Sequence, residues 1–141
     1  MTVREIVETL GLAADEDAVR RMAEYNAMVI AMSRKMNLTG IKDAEESLVK
    51  NIYDSLTVYE EKYFPKNGRM LDLGTGAGFP GIPLAILRPD MQIVLVDSVL
   101  KKLGQLKASC IMKSCCLLCF WLLSIIIPLE IEYFSGNNFF K

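Results

Sequence analysis

Histidine is absent from this 141-residue chain, and cysteine is absent until Cys110. Cys110, Cys115, Cys116 and Cys119 then cluster together, so the evenly spread framework of a disulfide-stapled secreted domain does not apply. With no histidine and no second cysteine pair, the Cys116-x-x-Cys119 spacing lacks the other ligands of a zinc site, and no metal is expected. Positive charge is not in excess either: 16 basic residues meet 17 acidic ones. No global field gathers nucleic acid, and any RNA contact needs a local patch. The opening Met1-Thr-Val-Arg-Glu-Ile-Val-Glu8 has no apolar stretch of the kind a secretory signal carries, so a cytoplasmic protein is expected. Charge itself nearly vanishes beyond residue 108, where only Lys113, Glu130, Glu132 and Lys141 are charged. The chain is two pieces by composition, 1–107 and 108–141.

What is present suits one ordinary domain, since 52% hydrophobic residues supply ample material for a core. Val19, Met22, Asn26, Val29, Met32 and Met36 recur three or four apart, a stripe of helical period interrupted only by the asparagine. The spacing predicts a helix over 15–36, capped by Asp15 and stopped by Asn37-Leu38-Thr39-Gly40. A shorter helix is expected over 3–10. Asp43 and Glu46 form a capping pattern ahead of Leu48, Ile52, Leu56 and Tyr59, which predicts a third helix ending before Pro65. Arg69–Leu73 and Gln92–Asp97 are short apolar runs of buried parallel-strand type, and Ile82 to Leu87 is a short apolar helix ended by Arg88-Pro89-Asp90. Strand, glycine turn, helix and strand within roughly 30 residues make a βαβ unit. The expected fold class is α/β: N-terminal helices followed by the start of a Rossmann-like sheet.

Asp72-Leu73-Gly74-Thr75-Gly76-Ala77-Gly78-Phe79-Pro80-Gly81 falls beyond the carboxyl end of the first strand, where open parallel sheets bind ligands. Glycines there let backbone approach a ligand, and the helix N-terminus that follows is expected to offer free N–H groups to a carboxylate or phosphate. The plain structural alternative is a glycine turn that only packs strand on helix. Asp97, closing the second strand about 20 residues on, is placed to accept hydrogen bonds from two ribose hydroxyls; the alternative is an ordinary strand-end acid. Gly76-Ala-Gly78-Phe-Pro-Gly81 also satisfies a dinucleotide pattern, so an NAD-binding oxidoreductase competes with an adenosyl-methionine site. Pro80 and Pro83 flank Gly81 and are expected to delay the helix start, which favours the second.

The run Leu71 to Ala85, with its Phe79-Pro-Gly-Ile-Pro83 continuation, resembles the loop of the bacterial small-subunit rRNA guanine-N7 methyltransferases of the RsmG or GidB family. Asn37-Leu38-Thr39, Asp54-Ser55-Leu56, Val96-Asp97-Ser98 and Lys101-Lys102 match that family in order, so the similarity spans about residues 5–107. The resemblance implies a class I methyltransferase fold and S-adenosyl-L-methionine as cofactor. It also implies methyl transfer to guanine N7 in 16S rRNA, with the ribosomal small subunit as partner. Implied cofactor-binding residues are Gly74, Thr75, Gly76, Gly78, Phe79 and Asp97, with no catalytic acid or base, because N7 already presents a lone pair. Asp54 and Ser55 have two readings, support of the loop and contact with substrate. Lys101, Lys102 and Lys107 are candidate phosphate contacts beside the commoner reading of a solvated helix face. Asn51 stands where many relatives have histidine.

The resemblance ends after Lys107. Cys115 to Leu129 is apolar but shorter than the roughly 20 residues of a membrane span, so no membrane role is expected. The 108–141 segment is expected to be out-of-frame or non-native sequence, leaving a two-stranded sheet with an open edge. A monomer is expected. A defective fragment that neither binds nor catalyses is the third reading, beside methyltransferase and oxidoreductase.

Overall fold

The computed structural model describes residues 1–36, 38–99 and 115–119. Lys101, Lys102 and Lys107, the Asn37 of the Asn-Leu-Thr motif and the tail beyond residue 119 lie outside them. Helix α1 (Val3–Thr9) starts with a reciprocal cap in which the Thr2 hydroxyl accepts the Glu5 N–H and the Glu5 carboxylate accepts the Thr2 N–H. Helix α2 (Glu16–Met36) begins one residue after Asp15, whose carboxylate takes the Ala18 N–H at 2.7 Å. A third helical stretch follows in three parts: α3 (Ala44–Ser47), a π-helical segment (Leu48–Tyr53) and α4 (Asp54–Thr57). Asp43 caps it through the Glu46 N–H at 2.8 Å.

The buried face of α2 is broader than its apolar stripe. Tyr25, Ile30 and Ser33 join Met22 and Val29 in the interior, and Asn26 is buried with them. The asparagine that interrupts the stripe is therefore not a flaw in the pattern. Its amide donates to the Ala44 carbonyl at 3.2 Å and its carbonyl accepts the Ser47 hydroxyl at 2.5 Å, while Asn51 donates to Ser47 at 2.8 Å. Satisfied in this way, a buried polar chain ties two helices without an orphaned group. The third stretch departs from the regular helix its spacing predicts. The Ser55 hydroxyl donates to the Asn51 carbonyl and so competes for an acceptor of the local ladder.

Strands β1 (Arg69–Leu73) and β2 (Gln92–Asp97) pair in parallel, Arg69 opposite Gln92 and Leu73 opposite Val96, with α5 (Gly81–Leu87) between them in sequence. A third parallel strand, β3 (Cys115–Cys119), adds to β2, so the order is β1-β2-β3 rather than the expected pair. The Cys-x-x-Cys segment is thus extended backbone and not the turn of a metal knuckle. Met70, Ile93 and Leu95 join α5 and the helical layer in one core with Ile6, Ile52, Leu56 and Ile82. On the opposite face of edge strand β1, Leu71 and Leu73 are 55% and 69% exposed. Among the described residues no helix is long and apolar enough to cross a membrane.

The linker from the helical layer to β1 is held at the amino ends of the strands by Arg88. Its guanidinium donates to the Tyr59 hydroxyl and the Phe64 carbonyl, each at 2.9 Å, and forks onto both Asp90 oxygens at 2.8 Å; Asp90 also accepts the Asn67 N–H at 2.8 Å. These contacts hold the Asp90 carboxyl far below its ordinary value of 3.8, with Arg88 the largest cause and Asn67 next. A carboxyl lowered in the folded state contributes stability above its unfolded pKa and loses it as pH falls through the folded value. Thermal melts from about pH 6 down to about pH 2 are expected to show Asp90→Asn narrowing its gap to the parent protein, because the unfolded chain takes up a proton that the stapled carboxylate resists; parallel melting curves would contradict the assignment.

Candidate functional site

The crevice is built where β1 ends. Three of its glycines have left-handed backbone: φ is 77° at Gly74, 58° at Gly76 and 85° at Gly78, and the Phe79–Pro80 peptide is cis. The loop is tied to β2 by the Gly74 and Thr75 N–H groups, which donate to the Val96 carbonyl at 2.7 and 3.0 Å. Asp97 then reaches across from the end of β2, one oxygen taking the Gly76 N–H at 2.7 Å and the other the Val99 N–H at 2.8 Å. Each carboxylate oxygen keeps a further lone pair. The loop closes on itself through Gly78 and Phe79, which both donate to the Thr75 carbonyl.

Space separates these glycines into two kinds. A side-chain carbon built on Gly74 meets nothing within 4 Å, and one on Gly76 only the Gly74 carbonyl at 3.9 Å, so this stretch of backbone forms an open shelf. At Gly81 the same carbon runs into Leu95 and lies 2.7 Å from an Asp72 oxygen. Gly78 faces the interior too, where such a carbon collides with Ile82 and the Tyr25 hydroxyl. The sequence reading placed Gly78 beside Gly74 and Gly76 as a ligand contact; the structure turns it toward the core. Thr75 is also buried, its hydroxyl donating to Asp72 at 2.7 Å. Phe79 is half-buried and packs on the Tyr25 ring at 5.4 Å between centroids.

One expectation is corrected. The N-terminus of α5 offers no free N–H to a ligand anion, because the same Asp72 oxygen that takes the Thr75 hydroxyl also accepts the Gly81 N–H at 2.9 Å. Ile82 donates to Gly78 at 2.8 Å, Leu84 to Pro80 at 3.2 Å, and Pro83 has no N–H. The protein supplies its own anion there. The prolines leave Gly81 as the first residue of α5 and not inside the helix: Pro80 precedes it as the cap, and Pro83 falls in the first turn, where a missing N–H costs little. What disfavours a dinucleotide is the filled helix terminus, since pyrophosphate binding needs those donors free. Asp72 opens the glycine motif in the sequence but was not counted among its ligand-binding residues, and Tyr25, an aromatic on a helix, carries no local motif.

Burial pushes the Asp72 carboxyl above its ordinary value. The Thr75 and Gly81 hydrogen bonds oppose that rise, and the charge of Asp97 adds to it. Asp72 and Asp97 thus bring two carboxyl groups together at the glycine loop. Ser55 is occupied by the Asn51 carbonyl and Asp54 is exposed on α4. Among the described residues no group of three or more His, Cys, Asp or Glu is placed to hold a metal ion.

An open parallel sheet with a glycine shelf beyond its first strand and an acid closing its second is the start of a Rossmann-like class I methyltransferase sheet. Comparison with known proteins narrows the class: the family model for rRNA small subunit methyltransferase G matches residues 18–112. The ribosomal RNA small subunit methyltransferase G of Alkaliphilus metalliredigens is 38% identical over 107 residues, covering 76% of this chain and 45% of that protein. Its counterpart in Pelotomaculum thermopropionicum is 40% identical over 72% of this chain and 42% of its own length, and that of Shewanella piezotolerans 39% over 72% and 47%. The chain belongs to the rRNA small subunit methyltransferase G family, and it spans less than half the length of these relatives.

The two kinds of glycine predict different substitution costs. Gly81→Ala, which drives a methyl into Leu95 and Asp72, is expected to lose about 3 kcal/mol in urea unfolding. Gly76→Ala, strained in backbone but free in space, is expected to lose roughly 1–2 kcal/mol. The reverse order would mean that the shelf is not open.

Proposed function

We propose that this chain carries the cofactor-binding part of an S-adenosyl-methionine-dependent methyltransferase that acts on guanine N7 of small-subunit rRNA. The observation that carries the reading is the open Gly74–Gly76 shelf beside Asp97, at a helix terminus already filled by Asp72. Such a site favours a cationic ligand over a phosphate-bearing one, and a sulfonium with an α-ammonium group is cationic. Shelf backbone would hold the amino-acid part, the free lone pairs of Asp97 the ribose hydroxyls, and Phe79 one wall.

When bound, the cofactor supplies an electrophilic methyl group on sulfur. Guanine N7 has a lone pair and no proton, so this chain needs no general base; its residues orient the ligand and keep water from the reacting atoms. The absence of histidine is compatible with that chemistry. Names of the relatives support rRNA as the substrate class, and a cytoplasmic site of action follows from the same reading.

The test is calorimetric titration of the 141-residue chain with S-adenosyl-methionine, with NAD as control and Asp97→Ala alongside. Saturable binding of the first ligand alone is expected, weakened about 10- to 100-fold in the variant, as for loss of hydrogen bonds to a charged acceptor. NAD binding of equal strength would replace the reading with the oxidoreductase one; no binding of either ligand would support a fragment that does not form the site.

A further inference from the structure

Tyr25 lies in α2, far from the glycine loop in sequence, yet it is fully buried beneath it. Three observations meet at this side chain. Its hydroxyl donates to the Ala77 carbonyl inside the loop. That hydroxyl fills the space under Gly78, so a side-chain carbon on Gly78 would strike it. Its ring packs against Phe79 at 5.4 Å with the planes 55° apart. A trans peptide fixes its C=O and N–H in opposite directions. Holding the Ala77 carbonyl toward the core therefore aims the Gly78 N–H back at the Thr75 carbonyl, which it meets at 2.8 Å.

We propose that Tyr25 is the positioning residue of the cofactor loop: through its hydroxyl on Ala77 and its ring on Phe79, α2 sets the height and tilt of the Gly74–Gly76 shelf. The inference rests on the proposed function, because it assigns Tyr25 to the part of the site that meets the amino-acid end of the cofactor. Tyr25 touches no reacting atom. The neighbouring Asn26 fixes the register of α2 against α3 through Ala44 and Ser47, so the tyrosine projects from a helix that cannot readily slide.

Tyr25→Phe removes one oxygen and keeps the ring against Phe79. In the 141-residue chain, amide hydrogen exchange of a peptide covering residues 73–80 is expected to accelerate about tenfold without ligand, while that covering residues 44–57 is unchanged. Affinity for S-adenosyl-methionine is expected to fall about tenfold, the worth of one hydrogen bond, while affinity for adenosine, which lacks the amino-acid end, stays within about twofold. Tyr25→Leu, which also removes the ring, is expected to weaken the full cofactor further. Proportional loss for both ligands, or faster exchange everywhere, would overturn the proposal in favour of a general core role; unchanged exchange of the loop would overturn it outright. Should the parent chain bind none of these ligands, the proposed function fails, and loop exchange still decides whether Tyr25 holds the loop.

Discussion

One Asp72 oxygen takes both the Thr75 hydroxyl and the Gly81 N–H, and this pairing joins the end of β1, the glycine loop and the start of α5. Remove the carboxylate and two buried donors lose their acceptor together. The close approach of α5 to the sheet follows, because Gly81 can sit against Asp72 and Leu95 only without a side chain. So does the sign of the crevice. Desolvation raises the Asp72 carboxyl, so its ionised form at neutral pH opposes folding; a carboxyl raised in the folded state stabilises below its unfolded pKa and loses that contribution as pH rises. Asp90 has the opposite sign, since Arg88 lowers it.

The helical layer shares in that geometry. Adjacent residues on α2 point to different tasks: Asn26 ties the helix to Ala44 and Ser47, and Tyr25 holds the loop at Ala77. A buried polar chain of this kind contributes little net stability but restricts how the layers slide over each other, since any shift leaves a donor unpaired. Arg88 does the same at the other end of the sheet, where it ties Tyr59 and Phe64 to Asp90. The segments on either side of β1 are therefore tied down, although Leu71 and Leu73 lie open on its far face.

Local signals made much of this legible from sequence. The caps at Asp15 and Asp43, the strands at Arg69–Leu73 and Gln92–Asp97, and the short helix before Arg88 depend on neighbours within a few positions, and they form where their residues place them. The π segment was not legible, because the spacing of Leu48, Ile52 and Leu56 suits an α-helix equally well. Gly78 and Gly81 look like Gly74 and Gly76 in sequence; only the packing of Tyr25, Ile82 and Leu95 separates a glycine that admits a ligand from one that admits a helix. The third strand was read as foreign sequence by composition, yet its backbone pairs in parallel with β2 from Ile93 to Asp97.

The same distinction separates two ligand classes that share a glycine pattern. A dinucleotide loop uses the helix N-terminus as its anion site, so its terminal N–H groups must be unpaired. Here Asp72 occupies that position from within, and Asp97 stands close enough to raise it further. Bringing pyrophosphate onto these groups would set like charges together in a partly desolvated place, where repulsion is poorly screened. A sulfonium meets the reverse situation, attraction to both carboxylates with no requirement for free donors. Spacing of glycines alone does not distinguish the two; ownership of the helix terminus does.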